Sequence, residues 1–117
     1  MQSFQDQLTT VLGDAVFAIG DDSMEQIVVN KALENGISLS IAESCTGGLI
    51  GHRITQISGS SKIFKGGVVV YSNSSKVNLL GVRENCINKH GAVSQETAKE
   101  MAEKVRKMFS SKLGLSI

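Results

Sequence analysis

Apolar residues along this chain follow two rhythms, short consecutive runs and a three-to-four spacing, separated by Gly, Ser, Asn and Asp. Residues 2–12 carry a weak helical pattern, and Ala15 to Ile19 reads as a short apolar strand closed by Gly20-Asp21-Asp22. Ser23 caps a predicted helix over 24–35, with Glu25 and Gln26 in its first turn and Gly36 as its stop. Its apolar positions Ile27, Val28, Ala32 and Leu33 share one face. A strand over Ile37–Ala42 leads into a predicted helix over Thr46–Ile57, where Leu49, Ile50, Ile54 and Ile57 keep helical spacing until Ser58-Gly59-Ser60-Ser61 ends it. Gly66 to Tyr71 is apolar on consecutive residues, the mark of a buried central strand. Ser72 or Asn73 caps a short helix over 74–80 that closes at Gly81. Ser94 caps a longer one over 95–109 with Ala98, Met101, Ala102, Val105 and Met108 on its inner side. Leu113 to Ile117 opens a further strand.

Strands alternating with amphipathic helices predict an α/β sheet covered on both faces. Within 117 residues that is one domain with little spare core. A composition shift near Asp21-Asp22 divides residues 1–22, an N-terminal extension, from the body at 23–117.

Composition narrows the partners. Hydrophobic residues make up 41% and charged ones 20%, which excludes a disordered chain, and a formal net charge of +1 gives no field for nucleic acid or a membrane surface. No run of about 18 apolar residues predicts a membrane span, and the N-terminus carries Asp6 with no basic segment of a signal peptide, so a cytoplasmic location is expected. Cys45 and Cys86 are too far apart, with no CxxC or paired His, to form a zinc site or a disulfide framework. Both are expected to be buried reduced thiols.

The chemistry concentrates at Glu43-Ser44-Cys45-Thr46-Gly47-Gly48, where an apolar strand breaks into hydroxyl, thiol and glycine residues ahead of a helix. Unpaired N–H groups at such a helix start favour an oxyanion, and Gly47 and Gly48 leave the backbone unshielded. The plainer alternative is that Ser44 or Thr46 caps the helix and the glycines permit a turn. A nucleophilic Ser44 needs a base, and neither His52 nor His90 is suitably spaced: His52 lies two turns along the same helix and His90 falls in the loop Asn88-Lys89-His90-Gly91.

Lys76 is the better base. In the first turn of the helix opened by Ser72-Asn73 a cation is disfavoured, which favours the neutral amine that can accept the Ser44 proton. The competing reading is a solvated surface lysine. Tyr71, the single tyrosine, ends its strand at the edge where open α/β sheets place their sites, and either orients Lys76, contacts substrate or caps the core. Glu43 either positions an amine or anchors the turn by accepting backbone N–H bonds. Cys45 is an alternative nucleophile. Gly66-Gly67 lacks the spacing of a phosphate loop.

Laid out in order, three segments resemble the CinA C-terminal domain family over residues 14–117. They are Ala42-Glu43-Ser44-Cys45-Thr46-Gly47-Gly48; Gly59-Ser60-Ser61 with Phe64 and Gly66 to Lys76; and Leu80-Gly81-Val82 followed by His90-Gly91-Ala92-Val93-Ser94. Characterised members are nicotinamide-nucleotide amidases, also known as competence- and damage-inducible proteins. The resemblance implies a three-layer α/β/α sandwich around a central mixed sheet. It implies Ser44 as nucleophile, with Lys76 and Tyr71 completing a Ser-Lys type site. Glu43, Cys45, Thr46, Gly47, Gly48, Ser72 and Asn73 would lie around the substrate. The implied reaction is hydrolysis of the carboxamide of nicotinamide mononucleotide to nicotinate mononucleotide and ammonia, with no metal or organic cofactor and with a self-associating protein.

Residues 12–25 resemble the connector that precedes this domain in longer members. Family members also continue past the position of Ile117 into a glycine- and proline-containing loop and a further strand, so the C-terminal strands of the family are expected to be missing here, in keeping with the absence of Pro. The alternative function is a non-catalytic, truncated nucleotide-binding or regulatory module. A competence-related nucleic-acid role finds no support in the charge.

Overall fold

The computed structural model describes residues 3–117. Its elements are α1 (Phe4–Leu12), a 3-10 turn at Gly13–Ala15, α2 (Met24–Glu34), β1 (Leu39–Glu43), α3 (Leu49–Thr55), β2 (Phe64–Val69), α4 (Asn73–Asn78), α5 (Glu84–His90), α6 (Gln95–Met108) and β3 (Leu113–Ser116). Serine hydroxyls start three of these helices as expected: Ser23 accepts from the Gln26 N–H, Ser72 from Ser75 and Ser94 from Thr97.

The sheet has the order β2-β1-β3. β1 is its middle strand and is buried along its whole length. Its side chains alternate between two cores. Leu39 and Ile41 pack with Val29 and Ala32 of α2, Ile54 of α3 and Ile63. Ala42 faces the other way, with Val70, Leu80, Val82, Ile87 of α5 and Met101 and Val105 of α6. Each fully buried Val or Ile in these clusters contributes roughly 1.5–3 kcal/mol. Ser40, also on the α6 side, is satisfied by donating to the Val105 carbonyl at 3.1 Å and sharing a hydrogen bond with Ser111 at 2.6 Å. The α/β/α layering is therefore as expected.

Both strand pairs are parallel, whereas a mixed sheet is expected. Each connection is a crossover carrying helix, and an antiparallel strand is not among the described residues. Gly66–Tyr71 is also not the centre of the sheet: β2 lies at its edge, its burial alternates, and Val69 is 49% exposed. A run of valines is legible in sequence, but which strand lies between two others is decided by pairing.

Other expectations yield to packing. Ala15 to Ile19 forms no strand, since a strand needs a partner and Phe17 and Ile19 stand exposed. α1 forms with a capping box at Ser3 and Asp6, yet none of its residues is buried. In α2 Val29 and Ala32 turn to the core, Ala32 as expected, while Val28 and Leu33 lie on the exposed side. In α6 Met108 is exposed, while Thr97 and Glu100 are buried. His90 closes α5, so Asn88 to His90, expected in a loop, are the last turn of a helix whose buried face is Cys86 and Ile87. Glu100 accepts from the Arg83 N–H at 2.8 Å and from Arg83 Nε, tying the start of α5 to α6. Burial raises the Glu100 carboxyl, but the Arg83 bonds outweigh it and hold the group below the usual carboxylate range.

Candidate active site

The carboxyl ends of β1 and β2 lie side by side, with Glu43 opposite Val69 and the Val70 N–H donating to the Glu43 carbonyl at 2.8 Å. The chain leaves β1 at Ser44 and β2 at Val70-Tyr71, so two segments about thirty residues apart emerge at one sheet edge. Parallel pairing is thus what brings the candidate nucleophile to the candidate base. Lys76 Nζ lies 2.9 Å from Ser44 Oγ. Ser44 is half-buried and Lys76 is only 2% exposed, so Lys76 is not the solvated surface lysine of the competing reading.

Nζ has two further partners, the carbonyls of Val70 at 3.0 Å and Tyr71 at 3.2 Å. A carbonyl can only accept. In the neutral amine, the two N–H groups therefore go to the carbonyls and the lone pair is left for the hydroxyl proton of Ser44. Ser44 is held from behind as well, its N–H donating at 2.7 Å to the carbonyl of Ile117 at the end of β3.

The turn after Ser44 differs from its expected form. The helix begins at Leu49 rather than Thr46, and residues 44–48 form a turn in which Gly47 and Gly48 have φ of 60° and 107°. A side chain is disfavoured at both positions. Glu43 is buried beneath this turn and accepts from Thr46 Oγ1 at 2.7 Å, the Ile50 N–H at 2.8 Å and the Gly51 N–H at 2.9 Å. Burial raises the Glu43 carboxyl, but the Gly51 N–H, the Thr46 hydroxyl and the Ile50 N–H outweigh it and leave it below the usual carboxylate range. Of the two readings of Glu43, anchoring the turn is the one its contacts match.

The first N–H of α3, at Leu49, donates to the Thr46 carbonyl at 3.1 Å, the next two are spent on Glu43, and the Gly47 N–H donates to the Ser44 carbonyl at 3.2 Å. Among the described residues, the N–H groups of Cys45 and Thr46 donate to no other protein group. Any oxyanion site here is built from the turn and not from the helix end.

The other expected site residues adjoin the pair in different ways. Tyr71 lends its carbonyl to Lys76, while the residue is 75% exposed and its hydroxyl makes no hydrogen bond to any described residue. Cys45 is exposed, contrary to expectation, because the turn lifts it off the sheet; Cys86 is buried as expected. Ser72 is occupied capping α4, and Asn73, its first residue, is exposed. Exposed apolar groups, Leu49, Val69 and Tyr71, flank the same edge. The sequence gives no sign of three contributors, the carbonyls of Val70, Tyr71 and Ile117, because a backbone acceptor has no residue-type signature. His52 is exposed, and His90 lies 3.7 Å from Glu96, away from this edge.

Residues 21–117 match the model of the CinA C-terminal domain. A protein named as competence-damage inducible from Thermoanaerobacter sp. strain X514 is 46% identical over 116 residues, 99% of this chain and 28% of that protein. A CinA-like protein from Kosmotoga olearia is 45% identical over 111 residues, 95% of this chain and 27% of that one. The chain thus spans little more than a quarter of the relatives it matches. Among solved structures, the competence/damage inducible protein CihA from Agrobacterium tumefaciens superposes with a TM-score of 0.70 at 34% identity, covering 83% of this chain and 59% of that one. A CinA superfamily protein from Escherichia coli gives 0.75 at 21% identity, a likeness of fold, over 86% of this chain and 61% of that one.

Proposed function

We propose that this chain, which belongs to the CinA C-terminal domain family, carries the Ser-Lys site of an amidohydrolase that converts nicotinamide mononucleotide to nicotinate mononucleotide and ammonia. One observation carries the chemistry: a buried lysine amine 2.9 Å from a serine hydroxyl, with two carbonyls to hold its N–H groups. The nucleotide substrate comes from the family resemblance, and the exposed Leu49, Val69 and Tyr71 beside Ser44 suit a planar ring.

Neutral Lys76 takes the Ser44 proton as Oγ attacks the carboxamide carbon. The tetrahedral oxyanion is received by the N–H groups of Cys45 and Thr46, each worth on the order of 3 kcal/mol in such a site. Collapse breaks the C–N bond, and the Lys76 ammonium returns its proton to the departing ammonia. Lys76 then takes a proton from water as it attacks the ester carbon, and that proton restores the Ser44 hydroxyl as nicotinate mononucleotide leaves. Thr46 and Ser72 or Asn73 lie around the nucleotide, and of the last two the exposed Asn73 is the freer, since the Ser72 hydroxyl caps α4. Residues 1–22 lie outside this unit, which works as a homo-oligomer in the cytoplasm. Among the described residues no helix is long and apolar enough to cross a membrane.

The test is release of ammonia and nicotinate mononucleotide from nicotinamide mononucleotide, beside Ser44→Ala and Lys76→Ala. Turnover that falls by about 1,000-fold or more in both variants supports the reading. A folded chain that binds the nucleotide without turnover would identify a binding module instead.

A further inference from the structure

We infer that Glu43 is a positioning residue, which fixes the Ser44–Gly48 turn so that the N–H groups of Cys45 and Thr46 stay aimed at the oxyanion of a tetrahedral intermediate. The inference rests on the Ser-Lys reading above and assigns Glu43 a place behind the turn, not against substrate. Glu43 is 3% exposed and its two oxygens receive three donors from the turn and the helix that follows, so no substrate group is needed to satisfy it. Those donors bracket the turn. Thr46 sits inside it, and Ile50 and Gly51 sit just past its end.

Geometry makes the carboxylate hard to replace. Oε1 accepts from Thr46 and Ile50 while Oε2 accepts from Gly51, so both oxygens must be acceptors. An amide has one acceptor, and its NH₂ would face either the Gly51 N–H or the Thr46–Ile50 pair. Gly51 allows the close approach: a Cβ there would stand 3.3 Å from Oε2. The carboxylate also removes the Ile50 and Gly51 N–H groups from competition for the oxyanion, leaving the unpartnered pair at Cys45 and Thr46 to receive it.

The experiment reads the oxyanion without depending on the natural substrate. A fluorophosphonate reacts with a serine nucleophile: the Ser44 Oγ–P bond forms, the P–F bond breaks, fluoride leaves and the Ser44 proton passes to Lys76. Glu43→Gln, of near-identical volume, is expected to label roughly 10–100-fold more slowly than wild type. In amide spectra the Cys45 and Thr46 protons are expected to move downfield when the wild-type serine is phosphonylated and to stay near their free positions in the variant. Labelling at the wild-type rate by folded Glu43→Gln overturns the inference and leaves the Ser-Lys site standing. Failure to label wild-type Ser44 overturns the Ser-Lys reading itself and the inference with it. Should Glu43→Gln not fold, Thr46→Val, which removes a single donor to the carboxylate, is expected to label about threefold more slowly. An unchanged rate there overturns the inference.

Discussion

Gly114→Ala is expected to separate β3 from α6 and so loosen the nucleophile, although residue 114 lies outside the Ser44–Lys76 pair. A Cβ at Gly114 would stand 2.0 Å from the Ala102 carbonyl oxygen and 2.8 Å from Arg106 Cβ. A carbon rests at about 3.3 Å or more from a carbonyl oxygen, so strand and helix must part by roughly 1.3 Å. The obstacle at Ala102 is backbone inside α6, which cannot swing aside as a side chain can. Overpacking of this kind costs about 1–3 kcal/mol, and a rigid neighbour puts the expected loss near 3 kcal/mol, or roughly 10 °C in melting temperature for a domain of this size. Moving β3 also strains the 2.7 Å bond from the Ser44 N–H to the Ile117 carbonyl. Urea unfolding measures the first effect and amide hydrogen exchange at Ser44 the second. An unfolding free energy within 0.5 kcal/mol of wild type, with Ser44 still protected, would refute the packing argument.

Ser44→Ala should be a folded inactive control: Lys76 keeps its two carbonyl partners, so the stability loss in urea unfolding is expected to be about 1 kcal/mol while turnover disappears. Lys76→Ala, which empties a buried site and leaves the Val70 and Tyr71 carbonyls without their donor, should cost more, about 2–4 kcal/mol by the same measurement. Glu43 and Glu100 both have carboxyls lowered by their N–H partners despite burial. Groups of that kind add stability above the unfolded carboxylate range and lose it as pH falls through the lowered folded value. Unfolding free energy should therefore fall with acidification below that range, and less steeply in Glu43→Gln; parallel curves would contradict the assignment. Because none of the residues of α1 is buried, deleting residues 1–20 should leave the urea midpoint of the remaining chain unchanged to within about 0.5 kcal/mol in free energy.

The two kinds of information divide along a physical line. Local hydrogen bonding is written in neighbouring residues, so the caps at Ser23, Ser72 and Ser94, the strand expected over Ile37–Ala42 and found at Leu39–Glu43, and the hydroxyl-rich break after it are legible without a structure. The α/β layering follows from the same alternation. What the chain alone leaves open is whatever depends on pairing across distance. Ala15 to Ile19 has the composition of a strand and finds no sheet to join, and the valines of β2 look central yet lie at an edge. The helix predicted from Thr46 starts three residues later because Glu43 captures the turn from below. At the candidate site the residue types Ser44 and Lys76 stand out in the sequence, but their 2.9 Å contact exists because β1 and β2 run parallel and end together. The remaining groups around that pair, the carbonyls of Val70, Tyr71 and Ile117 and the free N–H groups of Cys45 and Thr46, are backbone atoms. Every residue type carries the carbonyl and every one but proline the N–H, so sequence can name the side chains that react, and only the tertiary structure decides which backbone dipoles surround them.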